Sequence, residues 1–425
     1  MTSSTSSPPA TDLASPQARQ PRPRRSVALL VLVLGTLTAT GPLATDLYLP
    51  AFPQIAADLG APESRIQLTL TAIMVGMALG QLAIGPMSDA WGRRVPLLVG
   101  VAVFTLTSFA CALVTSAEAF IAIRFLQGVA GAAGAVISRA IVRDMFDGDT
   151  AARFFSRLML VSGLAPMLGP ILGGQLLLVG PWQMLFVVLG AVSALSMAVV
   201  FFGLPESLPV HQRRRQGPKA LLGTLAGLLG DVRFIGPTLT LSLSFAMMFT
   251  YISAFSFVSQ NELGVSAQGY SLMFAVNTIG LIAGTQVNAA LIGKVTTSRL
   301  LLFGLVGALG AVAVVGALTA TGLASPVTLT AALFVMMFGV GLVFPNATTL
   351  AISSQPAAVA GSASALVGSL QFALGGGLSS LAGLTSTGEA SLASMSAVMA
   401  GTGLLALAVF VASALLGRRK ARATA

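Results

Sequence analysis

The stretch VPLLVGVAVFTLTSFACALV, residues 95–114, is apolar along its whole length and carries no charged side chain. A helix of about 20 such residues is long enough to cross the hydrocarbon core of a bilayer. Only helices and closed barrels satisfy their backbone hydrogen bonds inside lipid, and this stretch lacks the in/out alternation of a barrel strand. We therefore predict a transmembrane helix here.

Eleven further stretches of similar length and composition occur along the chain. Only 8% of the residues are charged and the mean hydropathy is +0.89, whereas about a quarter of the residues of a soluble domain are charged. The sequence therefore predicts an all-α membrane protein with 12 transmembrane helices. The predicted spans are 27–47, 67–87, 95–114, 119–140, 157–179, 183–203, 235–258, 270–292, 299–321, 327–348, 360–383 and 392–416.

The positive charges follow the predicted loops. Of the 23 Lys and Arg residues, 21 fall before the first span or in the alternate loops that lie on the same side of the membrane; the exceptions are Arg65 and Arg124. Positive charge marks cytoplasmic loops, so both termini are expected in the cytoplasm of a bacterium, with the chain in the inner membrane. Basic residues spread through short loops are not the clustered patch that binds nucleic acid, and no nucleic acid is expected.

The longest polar interruption, near Arg213 to Arg215, divides the spans six and six. Gly76 and Gly80 are repeated about 205 residues later as Gly280 and Gly284, which indicates duplication of a six-helix unit. We predict a disordered cytoplasmic tail at 1–25, bundles at 26–204 and 234–417, a linker at 205–233 and a second tail at 418–425. The first span also resembles a cleavable signal peptide, but eleven more spans follow it.

Few residues are suited to catalysis or metal binding. Cys111 is the single cysteine and His211 the single histidine, so the chain has too few of these residues for a Cys/His hydrolase or a histidine-rich zinc site. A membrane sensor would need a signalling domain, and a membrane enzyme would need clustered His, Asp or Glu. No cofactor is expected, and the protein is not predicted to be an enzyme.

The loop GPMSDAWGRR, residues 85–94, combines one carboxylate, two arginines and glycine between the second and third spans. Asp89 is suited to a helix end and Arg93 and Arg94 to acids or lipid phosphates, so the loop can act as a latch between helix ends. The alternative is a turn that only sets the topology.

Two further strings lie within predicted spans. RFLQGVAG, residues 124–131, places Arg124 about one turn inside an apolar helix, with Gln127 on the next turn. An intramembrane arginine marks a functional site unless it snorkels to the interface. GLAPMLGPILGG, residues 163–174, has glycines that permit close helix contact and prolines that bend the axis, although tight packing alone could explain them.

Asp46 ends the first span within ATDLYLPAFP, residues 44–53. It is the one acid that our spans place in a partly desolvated setting. Desolvation disfavours the charged form, so this side chain can hold a proton in one state and release it in another. The alternative is a hydrated carboxylate at the interface.

The seventh span is rich in Met and aromatic residues, which suit a broad apolar pocket but are also common in cores and on lipid-facing surfaces. From this half we select Tyr251, Asn277 and Gln371 as candidate substrate contacts.

Together, the three strings and the 12-span layout resemble the major facilitator superfamily, and the Asp46 string is similar to the Bcr/CflA branch of drug:proton antiporters. This resemblance implies two six-helix bundles. It also implies roles for residues that match the family motifs. Asp46 and Arg124 are expected to couple the proton, and Gly85, Asp89, Gly92, Arg93 and Arg94 to form the gating loop. The antiporter hinge is expected at Gly163, Pro166, Gly169, Pro170, Gly173 and Gly174. The expected substrate contacts are Asp46, Tyr48 and Gln127 within the matching strings, together with Tyr251, Asn277 and Gln371, which we select from the second half of the chain.

Two positions depart from the family pattern. Ala90 stands where the family loop has arginine, which removes one bond from the latch. Thr38 stands where some multidrug relatives have a second carboxylate, which removes an anchor for cationic substrates.

The expected function is export of small amphipathic drugs, of the bicyclomycin, amphenicol or multidrug type, in exchange for protons. The rival is a proton-coupled importer of a small metabolite. Expected partners are the drug, protons and membrane lipid, and the expected working form is a monomer.

Overall fold

The computed structural model describes residues 24–146, 148–213, 218–356, 359–383, 385 and 389–423. These ranges contain fourteen α-helices. They are α1 (Arg24–Asp46), α2 (Phe52–Asp58), α3 (Glu63–Trp91), α4 (Arg94–Cys111), α5 (Ala117–Met145), α6 (Gly148–Leu176), α7 (Gln183–Gly203), α8 (Pro218–Gly230), α9 (Val232–Phe257), α10 (Ala267–Leu291), α11 (Thr297–Ala320), α12 (Pro326–Ser353), α13 (Ala360–Ser379) and α14 (Leu392–Ala423).

Every predicted span coincides with one of these helices. Ten of them are long and apolar enough to cross a membrane, and α1 and α6 coincide with the first and fifth predicted spans. The prediction of an all-α membrane protein is confirmed. The helices run past several predicted ends; α12, for instance, extends to Ser353 instead of 348, because a helix does not stop where its hydropathy falls.

The segments outside the spans are partly helical. The short α2 follows α1 across a 3₁₀ turn at Leu49–Ala51, and α8 occupies much of the predicted linker. Helix α1 already begins at Arg24, inside the predicted first tail, and α14 continues to Ala423, through most of the second. The rest of the first tail, residues 1–23, lies outside the described residues, as do 214–217 in the linker and 424–425.

The helices pack as two groups: α1 and α3–α7 form the N-terminal bundle, and α9–α14 form the C-terminal bundle. Glycines make the closest approaches in both. A Cβ atom at Gly76 or Gly128 would collide with the facing backbone of α5 or α3, and one at Gly284 would collide with the carbonyl oxygen of Phe338 on α12. The repeated glycines therefore serve equivalent helix pairs in the two bundles.

We call the face that carries the arginine-rich loops the basic face, and the other the opposite face. Between the bundles, α3 packs on α13 and α6 packs on α10. Among the described residues, the hydrogen bonds that join the bundles lie in the middle or toward the opposite face. Ser256 Oγ donates to the Leu49 carbonyl (2.5 Å), Ser271 Oγ to the Pro170 carbonyl (2.7 Å) and Ser369 Oγ to the Ala78 carbonyl (2.9 Å). The molecule is thus held closed at the opposite face.

A side chain at Gly128 should weaken the N-terminal bundle. Gly128→Ala places a methyl group against the backbone of Ile73, and overpacking of this kind costs about 1–3 kcal/mol. We expect a lower apparent melting temperature for the detergent-solubilised protein, measured by size-exclusion chromatography after heating. Gly307→Ala is the matched control, because a Cβ atom there meets open space; an equal loss in both variants would contradict the packing role.

Candidate functional site

Asp46 lies at the junction of the two bundles. It is the last residue of α1 and is 4% exposed. Pro50 follows closely and stands in the 3₁₀ turn that comes after the helix, since a proline cannot supply the backbone donor that a longer helix needs. The end of α1 and this turn pack against α6 and α10. The carboxyl group is therefore enclosed by protein, as the sequence predicted, and is not a hydrated group at the interface.

The glycine string of α6 explains how the carboxyl group becomes enclosed. A Cβ atom at Gly169 would lie 2.9 Å from Asp46 Cβ, and one at Gly173 would collide with the Leu47 carbonyl oxygen. The bare backbone of α6 therefore covers the end of α1 directly. On its other side, the Pro170 carbonyl accepts the hydrogen bond from Ser271 Oγ on α10, and a Cβ atom at Gly174 would meet that same hydroxyl. The glycine string thus allows α6 to contact both the end of α1 and helix α10 of the C-terminal bundle.

The other hinge residues add less to this contact. Helix α6 is continuous through Pro166 and Pro170. The structure describes Gly163 only as part of α6.

Arg124 is fully buried, so it does not snorkel to the interface. Its NH1 donates to Gln127 Oε1 (2.5 Å) and its NH2 to the Ala44 carbonyl oxygen (2.6 Å). The guanidinium carbon lies 4.2 Å from the centre of the Tyr48 ring and 5.5 Å from that of Phe186. Cation–π contacts of this kind favour a buried positive charge. Arg124 therefore ties α5 to the last turn of α1.

Arg124 and Asp46 are not bound to each other directly. Asp46 takes part in none of the ion pairs found among the described residues. The guanidinium binds the carbonyl of Ala44, two residues before Asp46. The Nε atom of Arg124 has no hydrogen-bond partner among the described residues. The structure thus places the two predicted coupling residues in one cluster, with the arginine fixing the backbone next to the acid.

Tyr48 and Gln127 belong to the packing around Arg124. The Tyr48 hydroxyl shares a hydrogen bond with Thr69 Oγ1 (2.9 Å), and Gln127 Nε2 donates to Ser108 Oγ (2.8 Å). Both side chains are buried and their polar groups are directed within the N-terminal bundle. Their present contacts orient the arginine, and substrate contact by either residue stays a prediction.

The C-terminal bundle presents a buried polar pair near the same junction. Asn277 Nδ2 donates to the Tyr251 hydroxyl (2.9 Å), and neither residue is exposed. The Met and aromatic residues of α9 are buried and do not face lipid. Gln371 on α13 is only partly buried and takes no part in this hydrogen bond.

Sequence reasoning missed Tyr270 at the start of α10. This tyrosine is fully buried, yet within the described part of the chain its hydroxyl has no hydrogen-bond partner, and neither has Asn277 Oδ1, two turns further along the same helix. A tyrosine among apolar residues gives no sequence signal of its own. The spacing from Asn277, seven residues on, was the only available indication that both side chains share one face.

The predicted gating loop forms an ion-pair network at the basic face. The guanidinium of Arg93 donates to Asp89 Oδ1 (2.5 Å), to Asp144 Oδ2 (2.8 Å) and to Ser88 Oγ (2.8 Å). Gly92 between the helices has φ +94°, which favours glycine. Arg94 donates to the Phe201 carbonyl (2.6 Å). Gly85 lies within the last part of α3.

Glu206, another residue the sequence reasoning missed, completes this network from 113 residues away. Its carboxylate accepts hydrogen bonds from the backbone N–H groups of Arg93 (2.8 Å) and Arg94 (3.2 Å) and so caps the start of α4. Partial burial raises the pKa of Glu206, but these N–H groups, that of Leu208 and the charge of Arg213 outweigh it and hold the pKa below its usual value. The carboxylate therefore stays charged at neutral pH and adds two backbone hydrogen bonds to the network.

A separate cavity of about 300 Å³ opens at the opposite face, where the bundles meet. Glu63, Asn261 and Glu262 are among its lining residues; Asp46, Tyr251 and Asn277 are not. The cavity lies where the two bundles close against each other at the opposite face, a junction that we call the seam. It does not mark the predicted substrate site.

These features define a polytopic membrane protein with two packed helical bundles and an enclosed ionisable site between them. A family profile described as Major Facilitator Superfamily matches residues 32–380. The chain belongs to this superfamily, which confirms the resemblance read from its motifs.

Individual relatives point to the same branch. The chain is 40% identical over 380 residues to "Uncharacterized MFS-type transporter YdgK" of Bacillus subtilis, covering 89% of this chain and 94% of the relative. It is 33% identical over 368 residues to "Bicyclomycin resistance protein homolog" of Haemophilus influenzae, covering 84% and 89%. A shorter match, 32% over 235 residues and 55% and 58% of the two chains, is to "Multidrug resistance protein MdtL" of Vibrio parahaemolyticus. The Bcr/CflA-like resemblance is thereby confirmed.

Solved structures confirm the fold. The crystal structure of a D-xylose-proton symporter matches with a TM-score of 0.70 at 15% identity, covering 91% of this chain and 97% of that one. The crystal structure of a mutant of the nucleoside transporter NupG matches with a TM-score of 0.72 at 14% identity, covering 91% and 99%. At these identities the likeness concerns the architecture alone.

Replacing Arg93 should loosen the network at the basic face. Lysine is a point charge without the planar fork that reaches two carboxylates and a hydroxyl, and loss of one charged hydrogen bond costs about 1.5–3 kcal/mol. We expect Arg93→Lys to lower the apparent melting temperature in detergent. Arg233→Lys, an exposed arginine on the same face, should leave it unchanged. If the two variants melt alike, the network does not stabilise this end of the bundle.

Proposed function

We propose that this protein is a proton-coupled antiporter that exports small amphipathic drugs across the bacterial inner membrane by alternating access. The basic face is the cytoplasmic face in this proposal, and both termini are cytoplasmic. The relatives named for bicyclomycin and multidrug resistance support export of drugs. The positive charges of the basic-face loops support the orientation.

The enclosed position of Asp46 is the observation that carries the proposal. An acid buried between two bundles is costly as an anion and inexpensive as a neutral carboxyl group. Its protonation therefore depends on which bundle surfaces surround it, and the conformation depends in turn on its protonation. That reciprocal dependence is what coupling between a proton and a conformational change requires.

A transport cycle follows from the closed seam at the opposite face. When the seam is open, Asp46 takes a proton from outside and a bound drug leaves. Closure then encloses the neutral carboxyl group, and the inter-bundle hydrogen bonds described above stabilise this state. Release of the proton to the cytoplasm and binding of the next drug complete the cycle, since proton and drug prefer different states of one carrier.

Arg124 serves in this scheme as the residue that holds the end of α1. Its hydrogen bond to the Ala44 carbonyl and its position over the Tyr48 ring keep a positive charge close to Asp46 without neutralising it through an ion pair. A fixed nearby cation limits how strongly the acid retains its proton. The arginine thus keeps proton release possible from a buried site.

The network of Arg93, Asp89, Asp144 and Glu206 would act as the latch at the cytoplasmic face. All four residues belong to the N-terminal bundle or to the segment that leaves it. The network therefore holds the basic ends of α3, α4 and α5 together as one unit, and rocking would move that unit as a whole.

The rival function is import of a small metabolite together with a proton. The glycine string of α6 and the named resistance relatives favour export over this alternative. Direction of transport separates the two functions, and the following experiments measure it.

Neutralising Asp46 should abolish coupled export. We expect a drug-sensitive bacterial host that expresses the protein to gain resistance to at least one compound of a small amphipathic panel. Asp46→Asn should lower that gain by about tenfold or more, the effect of about 1.4 kcal/mol. The gain in resistance and its loss in the variant are both measured as changes in the inhibitory concentration of each compound. Glu118→Gln is the matched control, since Glu118 is an exposed acid at the start of α5. Full resistance with Asp46→Asn would refute the proton site.

Removing the Arg124 side chain should uncouple transport while the protein still reaches the membrane. We expect Arg124→Ala to reduce drug-driven proton movement in inside-out vesicles by about tenfold or more, measured with a pH-sensitive dye, because the end of α1 loses its buried charged hydrogen bond. Arg139→Ala, another arginine of α5, tests whether any arginine on that helix matters. Quantified membrane protein must be equal in the vesicles compared, and equal proton fluxes would reject the role of Arg124.

A further inference from the structure

The hydroxyl of Tyr270 is a buried polar group without a function so far. Tyr270 is 0% exposed and its hydroxyl has no hydrogen-bond partner among the described residues, whereas most buried polar groups in proteins are paired. Leaving such a group unpaired opposes folding, so an unpaired hydroxyl in a packed site is expected to find a partner in some state of the protein.

The surroundings of Tyr270 point to Asp46 as that partner. Asp46 packs against Gly169 of α6, and the next residue, Pro170, accepts the hydrogen bond of Ser271, the neighbour of Tyr270. Asp46 and Tyr251 are the ionisable groups near the Tyr270 hydroxyl. The Tyr251 hydroxyl already binds Asn277, so of these two groups the carboxyl group of Asp46 is the one that can pair with Tyr270.

The protonated form of Asp46 is the form that Tyr270 can satisfy completely. A neutral carboxyl group has one O–H to donate and a carbonyl oxygen to accept, and a phenol hydroxyl can accept the first and donate to the second. The rings of Phe255 and Phe274 lie beside Tyr270, with centroids 6.0 Å and 5.9 Å away. Such an apolar setting disfavours a charged carboxylate.

The titratable groups of this cluster lie on several elements. Arg124 on α5 and Tyr270 on α10 are near Asp46. Cys111 at the end of α4 and Tyr48 in the turn after α1 are near Arg124, and Tyr251 on α9 is near Tyr270. The part of α6 that covers Asp46, residues 164–176, contains no titratable side chain.

We propose that Tyr270 is a positioning residue of the proton site: in the closed, protonated state its hydroxyl binds the carboxyl group of Asp46 across the bundle junction and so links protonation to closure of the opposite face. The structure, which is closed at that face and leaves the hydroxyl without a partner among the described residues, is then the closed state from which the proton has left. This inference rests on the proposed function, because it takes Asp46 as the proton carrier. The inferred contact, made by a residue of the C-terminal bundle, stabilises the closed state only when Asp46 is protonated.

The test measures how much protonation favours closure. Spin labels on Ala57→Cys and Thr321→Cys, both exposed at the opposite face on different bundles, report the closed-to-open ratio by pulsed electron resonance in lipid nanodiscs. The native Cys111 is buried and does not compete for the label. The closed-to-open ratio is measured under acidic conditions and again under alkaline conditions, and the first value divided by the second is called the coupling ratio.

We expect Tyr270→Phe to lower the coupling ratio by about 3- to 10-fold, the effect of losing one buried hydrogen bond. The ring stays, so packing against Phe255 and Phe274 is retained. Ser271→Ala is the matched control: it removes an inter-bundle hydrogen bond that does not involve Asp46. It should reduce closure equally at both pH values and leave the coupling ratio unchanged.

Asp46→Asn separates failure of this inference from failure of the proposed function. It should bring the coupling ratio close to one; any pH dependence of closure that remains reports titration of the carboxylates Glu63, Glu262 and Glu389 at the seam. Tyr270→Phe should have no further effect on the ratio in that background. A wild-type coupling ratio in Tyr270→Phe, with a lost ratio in Asp46→Asn, would overturn the role of Tyr270 alone. An unchanged ratio in Asp46→Asn would overturn the proton site itself.

Discussion

The direct contact of the α6 backbone with the end of α1 is the constraint on which the site depends. Asp46 is enclosed because Gly169 and Gly173 have no side chains to hold the two helices apart. A carboxyl group in that position is removed from water, and none of the ion pairs among the described residues stabilises its charge. Its protonation is therefore sensitive to every movement of the surrounding helices.

The same helix also connects the site to the second bundle. One turn of α6 touches Asp46 through Gly169 and binds Ser271 of α10 through the Pro170 carbonyl. A rocking motion that separates α6 from α10 would expose the carboxyl group on one side and break the seam in the same step. In the proposed function, proton access and conformational change would be linked by geometry, because they involve the same few residues.

Two arginines of the N-terminal bundle lie in different environments. Arg124 is buried among aromatic rings and a backbone carbonyl, where its charge acts on the site without being neutralised by a carboxylate contact. Arg93 is held by two carboxylates at the basic face, where it fixes the ends of three helices. The two arginines thus differ in their environments, and the difference follows from which partners each can reach.

Much of this could be predicted because the decisive signals are local. A span of apolar residues specifies a transmembrane helix wherever it occurs, so all twelve helices, the buried state of Arg124 and the importance of the α6 glycines follow from short stretches of sequence. The predicted residues Asp46 and Arg124 do lie in one cluster. Glu206, which reaches the same loop from 113 residues away, gave no local signal and was missed.

Local sequence patterns indicate which stretches are buried. The sequence alone therefore determined the class of fold, the order of the transmembrane helices and the candidate acid. They do not say which buried polar groups meet, since the partners come from distant parts of the chain. The bond of Arg124 to Ala44 spans 80 residues, and that of Ser256 to Leu49 spans 207. Only the tertiary structure decided these contacts, the unpaired hydroxyl of Tyr270 and the closed seam, because each depends on how two bundles of ready-made helices pack against one another.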